Sequence, residues 1–404
     1  MNFNSLSKSR RFAILLILGL LSAIGPFSID MYLPAFDTIA SDFDSPIEKI
    51  QLSLTAFFVG IAIGQIIYGP LLDKFGRKKP LFVGLVIYIL ASIMCAFTED
   101  ADHLIVFRFL QALGSCSGMV ASRAMVRDYF DPREGAKVFS MLMLVIGISP
   151  IIAPSVGAFV LSHFDWHIIF LILTALATLI LLAVIFILPE SYKGNRQMSL
   201  YPKDIVEGYW SVFKTPVFLL YALVGGFAAS GLYAYLSGSP FVLQSLHGLS
   251  ESQYGIAFAM VASCLIIATQ LNRILLNKLT SEVISKRASF FQVSAGVLLV
   301  IFAATGLLNL ITLLALICLY LCAQGFIFPN TSAMALAPFD RLAGSASALL
   351  GCIQMALGAA SSALVSHFHN GTQLPMVAVM CGGALISFLI YILLPRFNNR
   401  KMEV

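Results

Sequence analysis

One carboxylate and one guanidinium stand where a membrane would tolerate neither without a reason. Asp30 follows an apolar run that opens near residue 12, and Arg108 lies inside another, Val106-Phe107-Arg108-Phe109-Leu110-Gln111. Arg108 is about six residues into its run, hence roughly 9 Å deep. A charged side chain at the centre of a span costs about 2.5–3.5 kcal/mol on insertion scales, so such groups face a bundle interior and mark an ion or substrate path. The chemistry open to this pair is proton exchange: shielding from water helps a carboxyl hold its proton, and a nearby cation helps release it. Asp30 and Arg108 are therefore expected to act as partners. The bland alternatives are an Asp30 in water beside Asp37, Asp42 and Asp44, and an Arg108 reaching the interface along its own stem. Other chemistry is thin. Cys95, Cys116, Cys264, Cys318, Cys322, Cys352 and Cys381 all fall in apolar runs, which argues against a disulfide framework or metal cluster. His103, His163, His167, His247, His367 and His369 sit at run ends, and no metal is expected. A Walker-type phosphate loop and a clustered nucleophile and base are both missing, so neither ATP nor enzymatic catalysis is expected.

The elements that must position these residues follow from composition. The chain is 59% hydrophobic and 11% charged, with a mean hydropathy of +0.91, where soluble domains carry about 25% charged residues. Apolar runs of about 20 residues recur along it, as helices crossing a hydrocarbon core of about 30 Å require. Hydropathy predicts spans at 12–35, 49–72, 79–98, 102–126, 135–161, 166–189, 216–243, 252–275, 287–307, 310–334, 342–366 and 374–395. This is an all-α integral membrane protein of twelve transmembrane helices in two six-helix halves, 1–190 and 216–404, joined by a linker at 191–215. The linker carries Lys193, Arg196, Lys203, Asp204, Glu207 and Lys214 among Tyr209, Trp210 and Phe213, which suits a short helix at the membrane surface or an irregular joint. Lys8, Arg10 and Arg11 precede the first run without a small-residue cleavage site, so that run is read as a retained helix.

Orientation follows from lysine and arginine placement. The even joints hold Lys74, Arg77, Lys78, Lys79, Arg127, Arg133, Lys193, Arg196, Lys203, Lys214, Lys278, Lys286, Arg287 and Arg341, whereas the odd joints hold Lys49 alone of the basic residues, with the acids Asp37, Asp42, Asp44, Glu48, Glu99, Asp100, Asp102, Asp165 and Glu251. Both termini are expected in the cytoplasm, and the net charge of +5 reflects topology rather than affinity for nucleic acid. The halves also resemble one another: an offset of 209 residues lays Ala124-Met125, Phe130-Asp131 and Gly135 on Ala333-Met334, Phe339-Asp340 and Gly344. Parallel repeats of this kind hold their substrate sites near the midplane at the repeat interface.

Three motifs add detail. The joint after span two reads Gly69-Pro70-Leu71-Leu72-Asp73-Lys74-Phe75-Gly76-Arg77-Lys78-Lys79. Gly76 permits a tight turn, and Asp73 sits at a helix C-terminus, where an anion needs a cation to answer it. Span four holds Arg108-x-x-Gln111-x-x-Gly114, and span five holds Gly147-Ile148-Ser149-Pro150-Ile151-Ile152-Ala153-Pro154-Ser155-Val156-Gly157-Ala158. Two prolines bend a helix and small residues let a neighbour approach. These stretches resemble the loop, span-four and antiporter signatures of the major facilitator superfamily. Ala112, Ala153 and Ala158 stand where the family usually has glycine. With Asp30-Met31-Tyr32-Leu33-Pro34-Ala35 and Ser122-Arg123-Ala124-Met125-Val126-Arg127-Asp128, the resemblance narrows to the Bcr/CflA branch of drug/proton antiporters.

That resemblance implies the major facilitator fold in a bacterial inner membrane and efflux of small, amphipathic drugs by alternating access. Asp30 and Arg108 would serve proton coupling, Gly69, Asp73, Gly76, Arg77 and Lys78 the gating loop, and Pro150, Pro154 and Gly157 the antiporter helix. Phe27, Met31, Tyr32, Gln111, Met119, Tyr233, Tyr235 and Gln324 are weaker candidates for the substrate cavity. Gln270, Gln292, Asn330 and Gln354 could line it too, or bond between helices. A monomer with a small-molecule substrate, the lipid bilayer as partner, no cofactor beyond the proton gradient and no nucleic acid is expected. Export of one endogenous metabolite or siderophore, and a non-transporting membrane ligand receptor, are the alternatives.

Overall fold

In a bilayer the backbone must satisfy its own N–H and C=O groups, so the apolar runs fold as helices. The computed structural model describes residues 8–130, 132–195, 201–339 and 342–393. Arg196, Arg341 and the repeat pair Asp131 and Asp340 lie outside the described residues, as do both chain ends. Helix α1 (Lys8–Asp30) leads through a 3-10 turn (Leu33–Ala35) into the short α2 (Phe36–Asp42). There follow α3 (Ile47–Phe75), α4 (Lys78–Ala96), α5 (Ala101–Tyr129), α6 (Pro132–Leu161) and α7 (His167–Phe186). After α8 (Pro202–Phe213) come α9 (Pro216–Pro240), α10 (Glu251–Leu275), α11 (Ser281–Ala304), α12 (Leu310–Leu336), α13 (Ala343–His367) and α14 (Leu374–Leu393). Among the described residues, eleven stretches are long and apolar enough to cross a membrane, and α6 contributes a shorter one, Val145–Leu161. Together they account for the twelve predicted spans, and no strand occurs among the described residues.

Two boundaries differ from expectation for local reasons. Span one was expected to run to residue 35, but α1 stops at Asp30. Pro34 has no N–H to give the Asp30 carbonyl, the bond a continuing α-helix would need, and the chain tightens into the 3-10 turn instead. Helix α11 begins at Ser281 rather than near 287 because Thr280 caps it, accepting from the Val283 N–H at 3.4 Å. Its first turns then carry Glu282, Lys286 and Arg287 outside the apolar run.

The chain divides into two compact units, Met1–Glu207 and Gly208–Val404. Inside the first, α5 packs on α1, α3 and α4, while α4 also meets α7 and α1 meets α6. Inside the second, α12 packs on α9, α10 and α11, while α11 meets α14 and α9 meets α13. The same helix pairs recur in the same order, so the weak sequence repeat is a repeat of packing. Helix α8 leaves Val206 and Trp210 more than half exposed and stacks Trp210 on Phe213 at 5.6 Å.

Candidate functional site

The break after Asp30 organises the first unit. Helix α1 ends there with carbonyls that have lost their intrahelical donors, and Arg108 of α5 supplies one: its Nη2 donates to the Ser28 carbonyl at 3.0 Å. Its Nη1 donates to Gln111 Oε1, and Gln111 Nε2 in turn donates to Ser92 Oγ on α4 at 2.7 Å. The guanidinium is fully buried and boxed by aromatic rings, with centroids at 4.3 Å for Phe57 of α3, 4.5 Å for Tyr32 and 5.8 Å for Phe170 of α7. Tyr32 is fixed by Ser53 at 2.8 Å, and Ser28 Oγ by the Tyr88 hydroxyl at 2.7 Å. One cation thus ties five helices together, and its positive charge sits at the negative end of the α1 dipole.

The expected ion pair between Asp30 and Arg108 is not formed. The guanidinium grips the backbone two residues before Asp30, and Asp30, only 4% exposed, has no salt bridge or hydrogen bond among the described residues. The reason is helix geometry: Ser28 and Asp30 are two residues apart, so their side chains leave α1 in nearly opposite directions. From the other side α6 closes on the same break. A Cβ at position 157 would overlap the Met31 carbonyl, so Gly157 lets α6 press against the chain directly after Asp30. Pro154 is buried beside it, and Pro150 is partly buried one turn away. Motifs that were far apart in sequence therefore converge on one short break in α1.

Asp73, Gly76 and Arg77, expected to serve a gating loop, form a second cluster at the α3–α4 turn. Gly76 adopts φ +86°, and the Arg77 that follows it is 8% exposed. Arg77 Nη1 donates to Asp73 Oδ1 at 2.6 Å, Nε to Asp128 Oδ2 at 2.8 Å and Nη2 to Asp128 Oδ1 at 3.3 Å. Burial works against the guanidinium's charge, but the bonds to Asp128 and Asp73 outweigh it and hold the Arg77 pKa above the usual arginine value. The segment after α7 straps this turn. Glu190 accepts from the backbone N–H groups of Arg77 at 2.9 Å and Lys78 at 3.1 Å, a carboxylate at the N-terminus of α4. Ser191 Oγ donates to Asp128 at 2.7 Å, Tyr192 lies under the Arg77 guanidinium at 4.7 Å, and the Asn195 N–H donates to the Asp73 carbonyl at 2.9 Å. Gly194, at φ +82°, fits where a side chain would lie 2.6 Å from the Gly76 nitrogen.

Sequence reading missed Asp128, Glu190, Ser191, Tyr192 and Asn195 as members of this cluster. The available signal was acids standing against the basic trend of their joints. Arg77→Ala is expected to leave the Asp128 carboxylate, 18% exposed at its side chain, without its cation, costing roughly 2 kcal/mol of stability. Glu190→Gln, which keeps one of the two accepting oxygens and loses the charge, should cost about 1 kcal/mol. Thermal unfolding of the purified protein in detergent checks both, and an unchanged stability in Glu190→Gln would show that the strap does not depend on charge.

The weaker cavity candidates divide. Tyr32 and Gln111 are engaged in holding Arg108. Met119 packs at Gly25, Phe27 is partly buried and Met31 is 2% exposed. In the second unit Tyr233 packs on Gly358, and Tyr235 stacks on Phe258 at 5.7 Å. Gln324 meets Gln292 at 3.0 Å beside the Ala228 carbonyl, and Asn330 donates to Asn272 at 2.7 Å. These polar groups bond between helices of their own unit. Gly69 is partly buried inside α3, and the Lys78 Nζ donates to the Ile185 carbonyl at 3.2 Å.

Comparison with known proteins agrees with this architecture. A family model described as Major Facilitator Superfamily matches residues 18–363. The chain is 36% identical over 388 residues to the "uncharacterized MFS-type transporter YdgK" of Bacillus subtilis, with 94% of this chain and 95% of that protein covered. It is 31% identical over 392 residues to the "bicyclomycin resistance protein homolog" of Haemophilus influenzae, covering 96% and 98%. It is 27% identical over 377 residues to the "multidrug resistance protein MdtL" of a Shewanella strain, covering 93% of each. Among solved structures, the xylose transporter XylE of E. coli in a partially occluded inward-open conformation superposes with a TM-score of 0.76 at 14% identity, over 96% and 98% of the two chains.

Proposed function

The chain belongs to the Major Facilitator Superfamily, and from that premise we propose that it expels small amphipathic drugs or toxic compounds in exchange for protons, by alternating access. It is a multi-pass membrane transporter of a small-molecule substrate rather than an enzyme. Relatives named for bicyclomycin and multidrug resistance support the drug-efflux reading and the Bcr/CflA branch. The proton half rests on one observation: Asp30 is a nearly buried carboxyl at a break in α1, without an ion pair or hydrogen bond among the described residues. A carboxylate there is costly to keep ionised in so little water, and the break is gripped by Arg108 at the Ser28 carbonyl and packed by α6 at Gly157. Asp30 takes up a proton from the outer side, gives it up on the inner side, and alternates with the substrate. No cofactor is needed beyond the gradient. The protein works as a monomer in the bacterial inner membrane, with both termini in the cytoplasm.

Proteoliposomes tested with several unrelated compounds at two pH values decide this. Export of at least two of them, abolished by an uncoupler, is the expected result. Export of a single compound would make this a dedicated metabolite exporter. Binding without any counterflow would make it a receptor.

A further inference from the structure

Two apolar grooves run down the outer surface of the first unit on either side of one row of α4. The first, of about 480 Å³, lies against α3 and is lined by Ile67, Phe75 and Ile87. The second, also about 480 Å³, lies against α7 and is lined by Phe82, Val184 and Ile185. Lys79 and Val83 line both. They are four residues apart, one turn of the same helix face, so only that row separates the grooves. Ile67, Phe82 and Val83 are 45%, 44% and 54% exposed, which on a membrane-spanning helix is exposure to lipid.

The polar end of this surface differs from the rest of the joint. Arg77 is consumed by Asp73 and Asp128, and the Lys78 ammonium is held by the Ile185 carbonyl. The exposed Lys79 has no hydrogen bond or ion pair among the described residues, and it stands at the head of both grooves. A groove on the second unit, about 360 Å³ between α11 and α12, has no charged residue in its lining, which includes Ala288 and Phe326.

We propose that this surface is a binding site for one diacyl phospholipid with an anionic headgroup. The phosphate sits at the Lys79 ammonium, and the two acyl chains lie in the two grooves, one on each side of Val83. Charge complementarity selects the headgroup and the paired apolar grooves select a two-chain molecule, which is how basic pockets between membrane helices recognise such lipids.

Native mass spectrometry of the full-length protein, offered equal phosphatidylglycerol and phosphatidylcholine of the same chain length, tests the site. The expected result is one retained lipid with phosphatidylglycerol preferred. Lys79→Gln should reduce that preference about fivefold, the effect of one basic side chain at an anionic headgroup. Lys278→Gln, an equally exposed lysine in the corresponding joint of the second unit, should leave it unchanged. Val83→Trp, which fills the grooves, should lower occupancy by both lipids without changing their ratio. An unchanged ratio in Lys79→Gln, an equal drop in Lys278→Gln, or displacement of the lipid by inorganic phosphate alone would overturn the proposal. A melting temperature for each variant separates loss of lipid from loss of fold.

Discussion

Asp30→Asn is expected to leave a folded protein that still exchanges substrate down its gradient but no longer concentrates it. Asparagine has the size of the aspartic acid side chain and is always neutral, so the nearly buried position loses no packing and gains no charge. What it loses is the ability to release a proton. One elementary charge moving through 100 mV supplies about 2.3 kcal/mol, equivalent to a substrate gradient of about 50-fold. In the variant that ratio should fall to about one. Reconstituted protein with an imposed pH and potential difference measures it directly, and counterflow of labelled substrate confirms that the binding path survives. Accumulation at the native level in Asp30→Asn would remove Asp30 from the coupling mechanism.

The second large effect concerns Arg108. Arg108→Leu removes the donor to the Ser28 carbonyl, the partner of Gln111 and a cation shared by three rings. Stranding those polar groups in the core should cost about 3–5 kcal/mol, with transport abolished. Arg108→Lys keeps the charge but cannot fork between the carbonyl and the amide or stack as a plane, so it should recover only part of the stability. The geometry makes a sharper prediction for the double variant. Because the two groups are not paired, Arg108→Leu with Asp30→Asn should show no rescue, and the two stability changes should add within about 0.5 kcal/mol. Mutual rescue in thermal unfolding would mean that they form a pair in the working protein after all.

The difference between what could be read from the residues and what could not is a difference of range. Span positions follow from hydropathy because the bilayer imposes them locally, residue by residue. The α3–α4 turn was legible for the same reason: Asp73, Gly76 and Arg77 lie within one helix turn of each other and their chemistry is complete on inspection. Asp128 and Glu190 answer Arg77 and its backbone from 51 and 113 residues away, and nothing local to either residue announces this. Asp30 and Arg108 show a subtler failure. Reading both as functional charges rested on depth, but pairing them assumed that two opposite charges at similar depth must meet. Which face of α1 each residue meets is set by the end of the helix, and a carbonyl freed by that ending proved the better partner for a forked donor. Two of the weaker cavity candidates, Tyr32 and Gln111, sit on Arg108, a place that residue type alone does not announce, since an aromatic or amide side chain fits equally well into a box around an arginine.

The strap across the α3–α4 turn also bears on how the protein is made. Gly76 and Arg77 leave the ribosome long before Glu190 and Asn195, and at usual elongation rates the interval is on the order of ten seconds. During it, two backbone N–H groups at the start of α4 have no carboxylate cap and Arg77 has no ring beneath it. The turn is finished only when α7 has been inserted and the chain returns to the same side of the bilayer. Assembly of the first six spans is therefore fastened from its own far end, before the second set has been synthesised.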